Sequence, residues 1–327
     1  MEDFAIVDAH VHLVRTMDEE CAYFQIPGRR VCDRYGTPQR ALEYMDREMI
    51  SHMAFMILIP RQFRGPLFEK AKLAGLPEGD REKQRGRIAH QVAPLMREFN
   101  EWGCKVGQEY PKLFPFVCLS DDLGGSKGMV EELLLRVRQG AKGVKLHPGI
   151  FSLRPDDEVM WPVYEKCQEL GLPIVADSGP FPVTHVLTAY ASPIWLKEPK
   201  GHIEYGEPKN FEQVLKDFPC LTLILAHLGS VWWDERVELS EKYPNVYFDT
   251  AQGFSSTDAV PHHPHRGLAE DDAVRVMRRI GVERVMFGSD SPGVAAQPQI
   301  EQLLRLPLTD EEKHMILAEN AKRILRL

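Results

Sequence analysis

The chain has 327 residues, 43% of them hydrophobic and 27% charged, with a formal net charge of −8. That length suits one large α/β barrel or two domains, with a core big enough to need no staples. An acidic balance without any basic stripe argues against nucleic acid as a partner, and no apolar run approaches the roughly 18 residues of a membrane-spanning helix.

The first predicted strand is "FAIVDAHVH" (4–12). A helix at 37–50 follows, with Thr37 as N-cap and Pro38 in its first turn. "HMAFMILI" (52–59) is the second strand, and a helix near 86–110 comes after it. "LFPFVCLS" (113–120) and a helix at 126–140 form the third unit, "AKGVKLH" (141–147) and a helix at 156–171 the fourth. "LPIVAD" (172–177) precedes a short helix at 210–219, and "LTLILAH" (221–227) a helix at 231–243. "NVYFDT" (245–250) leads to a helix at 268–280, and "ERVMFGSD" (283–290) to helices near 297–305 and 309–326.

Eight strand–helix units predict a single (β/α)8 TIM-barrel domain over 1–327. A doubly wound open sheet would carry a phosphate-binding glycine loop after its first strand, and "DAHVHLVRT" contains no glycine. The long connections 13–36, 60–86, 178–207 and 251–267 all follow strands. In a barrel they lie at the C-terminal face, where they can wall a pocket or act as lids. Six cysteines without a CxxC pair read as reduced thiols of a cytoplasmic protein, and the acidic N-terminus lacks a signal-peptide layout.

The chemistry concentrates at strand ends. Residues two apart in a strand point the same way, so His10 and His12 can reach one metal ion. Asp8, on the same face, can hold a ligand histidine in one tautomer. Barrel closure brings Asp290, at the end of the eighth strand, beside them, and Gly288 removes bulk beneath the site. His227 ends the sixth strand, with Leu223 and Leu225 on its face, and Asp177 ends the fifth. Lys145 shares a face with His147, and a lysine inside a barrel is costly unless paired or modified. Three readings stay open for it: a carbamate bridging two metals, a cation for a substrate carboxylate, or a salt bridge to Asp177. Arg61 and Arg266 are further candidates for binding a carboxylate. His262, His263 and His265, interrupted by prolines, read as a rigid lid. Trp195, Trp232 and Trp233 either wall an aromatic pocket or pack helices.

"DAHVHL", "GVKLHP", "AHLG", "FGSDSP" and the closing "ENAKRIL" resemble the amidohydrolase superfamily, in particular its amidohydrolase-related branch of metal-dependent hydrolases and decarboxylases. The resemblance runs from about residue 4 to 325. It implies metal ligands at His10, His12 and Asp290, with His227 as a further ligand or an acid–base group. The family's fifth strand usually ends in histidine, where this chain has Asp177. A carboxylate can ligate there, and Lys145 can contribute as a carbamate, so one or two ions fit. Zinc suits the imidazoles best, with manganese, iron or cobalt also possible.

The expected activity is hydrolysis of a small amide, ester or lactone, Asp290 taking the proton of an activated water and His227 steadying the oxyanion. The alternative is decarboxylation of an unsaturated or aromatic acid, with Arg61, Lys145 and His147 at the substrate. A catalytically weak, metal-poor barrel that binds a small molecule is the third reading, motivated by Asp177. A small molecule is the expected partner, neither a membrane nor nucleic acid, and a homodimer is compatible with the aromatic lid segments.

Overall fold

The computed structural model describes residues 5–23, 35–180, 204–254 and 267–327. Eight parallel strands form one sheet in sequence order: β1 Ile6–Val11, β2 Ile50–Met56, β3 Leu113–Cys118, β4 Gly143–Leu146, β5 Ile174–Ala176, β6 Leu223–Leu225, β7 Val246–Asp249 and β8 Val285–Met286. The ends of the sheet meet. Val11 bridges Ser291, and the amides of Ala9 and Asp290 donate to the carbonyls of Phe287 and His10 at 2.9 and 2.8 Å. The fold is therefore the expected (β/α)8 barrel.

The strands are shorter than their apolar runs, and β8 shows why. After Met286 its amides turn to other partners. Phe287 donates to the Ile316 carbonyl, Gly288 to the Thr250 hydroxyl and Ser289 to Asp8. β1 is irregular as well, its pairing with β2 shifting register between Ile6 and Val7 and between Asp8 and Val11.

Helices surround the sheet. α1 is Met17–Tyr23 and α2 is Pro38–Arg47, with Thr37 before it and a proline in its first turn as expected. Residues 60–86 are largely helical: α3 is Gly65–Ala71, and α4, Glu78–Glu109, begins well before residue 86. α4's opening turns are polar and exposed, so they carry no apolar period to announce them. α5 Gly125–Arg138, α6 Pro148–Phe151, α7 Trp161–Leu170, α8 Glu212–Asp217, α9 Trp233–Lys242, α10 Glu270–Ile280 and α11 Ala296–Arg305 follow. The last helical stretch, Asp310 to Leu325, starts in a capping box between Thr309 and Glu312 and passes through a π turn at Met315–Glu319.

Two large apolar clusters form among the described residues. The larger lies between sheet and helices. The smaller gathers Val7, Ala54, Phe116, Val175, Ile224 and Met286, contributed by six strands, with Ile324 and Leu325 of the last helix. Residues from so many strands touch only across the lumen, so this cluster is the barrel's floor and the polar strand ends lie above it. Cys104, Cys118 and Cys167 are buried free thiols and Cys220 an exposed one. Cys21 is disulfide-bonded, which corrects the expectation of reduced thiols throughout. No described helix is long and apolar enough to cross a membrane.

Candidate metal centre

His10, His12 and Asp290 converge, each offering a ligand atom within 4.8 Å of the others. Both histidines are oriented from behind. His10 is fully buried, and its Nδ1 donates to Asp249 Oδ2 at 2.9 Å. His12 Nδ1 donates to the Met56 carbonyl at 3.0 Å. A carboxylate or carbonyl only accepts, so each Nδ1 carries the proton and each Nε2 presents a lone pair. Burial, and then the nearby Lys145 charge, hold the His10 imidazole down to about 4, which keeps it neutral.

Asp290 completes the group from a left-handed backbone position, φ 61°. Gln252 donates to its Oδ2 at 2.8 Å, leaving Oδ1 toward the histidines, 3.1 Å from His12 Nε2 and 4.0 Å from His10 Nε2. Two acceptors 3.1 Å apart repel unless a cation lies between them. The donor set thus fits a divalent ion in a two-imidazole, one-carboxylate site. Although burial opposes it, the three imidazoles hold the Asp290 carboxyl far below the usual carboxylate range. Gly288 is required beneath: a Cβ there would lie 2.8 Å from His10 Cβ and 3.3 Å from Asp249 Cβ.

A second group adjoins the first. Asp177 Oδ2 lies 3.1 Å from His227 Nε2 and 3.3 Å from His147 Nε2. His227 Nδ1 faces the Ala251 carbonyl at 3.3 Å, so both its ring nitrogens meet oxygen acceptors, an arrangement the imidazolium satisfies with no added ion. Burial opposes that charge, but Asp177 outweighs it and lifts the imidazole to about 8. His147 differs. Its Nδ1 accepts from the Ile150 amide, and burial pushes it down to about 3. The His10 and His227 ring centroids are 5.2 Å apart, so the two groups form one polar mouth.

Lys145 is 1% exposed, and its polar partner among the described residues is His10 Nε2 at 3.4 Å. The salt bridge to Asp177, one of the three readings of this lysine, does not form. Asp177 itself stays outside the three-residue metal group, bound instead to the two histidines. Asp8 does not hold a ligand ring. Its Oδ1 accepts from the backbone amides of His10 and Ser289, and burial lifts its carboxyl to about 7. The orienting carboxylate is Asp249, whose other oxygen accepts from the amides of His227 and Ala251. Sequence reasoning missed it, although it is next to last in "NVYFDT" and the last residue of β7, a strand end like those that singled out Asp177 and Asp290.

Nor do Leu223 and Leu225 share a face with His227. Ile224 pairs with Val175, which pairs with Lys145. His227 reaches the mouth because its own backbone is left-handed, φ 66°. The Arg61 side chain, together with Trp195, His262, His263, His265 and Arg266, lies outside what the structure describes. Arg64, which the sequence reading passed over, is buried just before α3, donates to the Ile59 carbonyl at 2.6 Å and acts electrostatically on His147. Trp232 is buried beside Val231, and Trp233 packs on the main core.

The barrel and its strand-end His–X–His and aspartate group define a protein class, the (β/α)8 enzymes with a metal centre at the barrel mouth. The family model described as amidohydrolase matches residues 7–327, and the chain belongs to that family, as an enzyme of the amidohydrolase superfamily. A search of curated proteins finds no match. Among solved structures, an uncharacterized TIM-barrel protein from Bordetella bronchiseptica is similar at 17% identity and TM-score 0.66, with 99% of each chain covered. A 2,6-dihydroxybenzoate decarboxylase from Rhizobium is similar at 15% identity and TM-score 0.65, with 98% of each chain covered. A dihydroxybenzoic acid decarboxylase from Polaromonas sp. JS666, solved with manganese and the inhibitor 2-nitroresorcinol, is similar at 16% identity and TM-score 0.62, covering 99% of this chain and 97% of that one. At such identities the likeness is one of fold.

Proposed function

We propose that this enzyme removes carbon dioxide from a small aromatic or unsaturated carboxylic acid, using one divalent ion held by His10, His12 and Asp290. The observation that carries this reading is Lys145. A buried ammonium lies against the same nitrogen, His10 Nε2, that would ligate the ion. The site's own carboxylates are already engaged, Asp290 in the metal group and Asp177 by the two histidines, so a substrate carboxylate is a fitting anion to join the ion and the ammonium. The decarboxylases among similar folds, one of them holding manganese, support the same direction.

When bound, the ion supplies a Lewis acid that polarises a substrate oxygen. Lys145 binds the carboxylate and orients the carbon–carbon bond to be broken. As carbon dioxide leaves, the electron pair of that bond stays on the substrate carbon. His227 delivers the Nε2 proton to that carbon, and solvent later restores it. Asp177 holds the His227 ring and favours its protonated form. Hydrolysis is the second reading, favoured by the family and by an aspartate at the metal group. It asks Asp290, whose Oδ2 already accepts from Gln252, to take up a proton while its Oδ1 belongs to the metal group. Asp177 lies outside the metal group, so its standing where relatives carry histidine does not by itself weaken that group.

The test is incubation of manganese-loaded protein with hydroxylated benzoates and, separately, with esters, lactones and amides. We expect carbon dioxide from the acids, and Lys145→Met to raise KM at least tenfold with metal content kept. Release of a hydrolysed fragment from the second set, without carbon dioxide from the first, overturns the reading.

A further inference from the structure

Arg236, in α9, is fully buried, and among the described residues no carboxylate oxygen lies within 4 Å of its nitrogens. Burial lowers it to about 10, so it remains a cation. Its hydrogen bonds go to two places. Nη2 donates to the carbonyl and hydroxyl of Ser178, and Nε to the same hydroxyl at 3.3 Å. Nη2 also reaches the Ala226 carbonyl at 3.4 Å, and Nη1 donates to the Val231 carbonyl at 2.8 Å. The Ser178 hydroxyl donates to the Ala226 carbonyl at 2.6 Å, which closes the network.

Ser178 follows Asp177, and Ala226 precedes His227. One guanidinium therefore fastens the two strand ends whose side chains meet at 3.1 Å. A buried charge without a carboxylate in hydrogen-bond contact is expensive to keep for packing alone, and carbonyl dipoles and the more distant Glu235, Asp177, Asp249 and Asp234 compensate it only in part. Nothing else described in the fold ties the β5 and β6 ends together beyond their ladder through a side chain from a third element.

We propose that Arg236 is a positioning residue, holding Asp177 and His227 in the registration that keeps their side chains hydrogen-bonded. What the pair then does rests on the decarboxylase reading; the registration itself does not. The metal ligands stand on β1, just after it and beyond β8, and none of them hydrogen-bonds Arg236, Ser178 or Ala226; the link between the two groups is Asp249, which orients His10 and accepts from the His227 amide.

The test needs no substrate. The hydrogen-bonded Nε2 proton of His227 is observed by nitrogen-correlated NMR of histidine-labelled protein, and Mn2+ binding is measured by calorimetry in parallel. Arg236→Ala loses the far-downfield His227 signal and keeps its Mn2+ stoichiometry, with affinity unchanged within threefold. Guanidinium ion added at millimolar concentration enters the vacated space and restores the signal. Ser178→Ala, a smaller lesion, weakens the signal and serves if Arg236→Ala does not fold. Persistence of the signal in a folded Arg236→Ala overturns the proposal. So does loss of Mn2+ binding together with the signal in Ser178→Ala, because Arg236 would then be a general brace. Failure of every acid to release carbon dioxide while the NMR result stands removes the function reading and leaves the clamp.

Discussion

At the scale of single residues, the site is a set of side chains each held by a second one. Asp249 is the clearest case, for it fixes the tautomer of His10 while its other oxygen anchors two backbone amides. Outer partners of ligand histidines are worth roughly tenfold to a hundredfold in metal affinity. Asp249→Asn therefore weakens Mn2+ binding by about that factor in calorimetry, with the circular dichroism of the fold retained. His227 supplies a pH dependence. Its imidazole is raised from 6.5 to about 8 in the folded state. Protonation thus favours folding, the benefit being complete below pH 6.5 and lost as pH rises through about 8. The shift corresponds to about 2 kcal/mol. Urea unfolding of metal-free protein at pH 6 and pH 9 should show that much less pH-dependent loss in His227→Gln than in the unaltered chain.

At the scale of elements, the strand ends were legible because apolar β-rich runs that stop at a polar residue are the signature of a barrel mouth. Asp177, His227 and Asp290 follow from that pattern, His10 and His12 from their two-residue spacing and Lys145 from the cost of a lysine inside a barrel, and the structure gathers all six at one mouth. Side-chain parity failed where the chain leaves the strand. His227 faces the mouth through a left-handed turn that no alternation of residues reveals. Partners across the lumen were also hidden, since Lys145 meets a residue 135 positions away. The close approach of β1, β7 and β8 makes its own prediction at Gly288. A methyl there meets His10 Cβ at 2.8 Å, so Gly288→Ala forces strands apart. We expect a cost of about 1–3 kcal/mol by urea unfolding and a weakened metal site.

At the scale of the whole molecule, the metal group spans the chain, two ligands near its start and one near its end. A ligand that binds only the closed barrel stabilises it by mass action, by about 2.7 kcal/mol at a hundred times its Kd. Mn2+ should raise Tm in a concentration-dependent way, and neither His10→Ala nor Asp290→Asn should respond.

The seam where β8 returns to β1 has a consequence for the order of events in the cell. A nascent polypeptide that has not yet reached residue 290 offers an ion two imidazoles and no third donor from this group. Loading must wait until residue 290 has been made, and the cation then works as a clasp, fastening that later-made segment to the first strand.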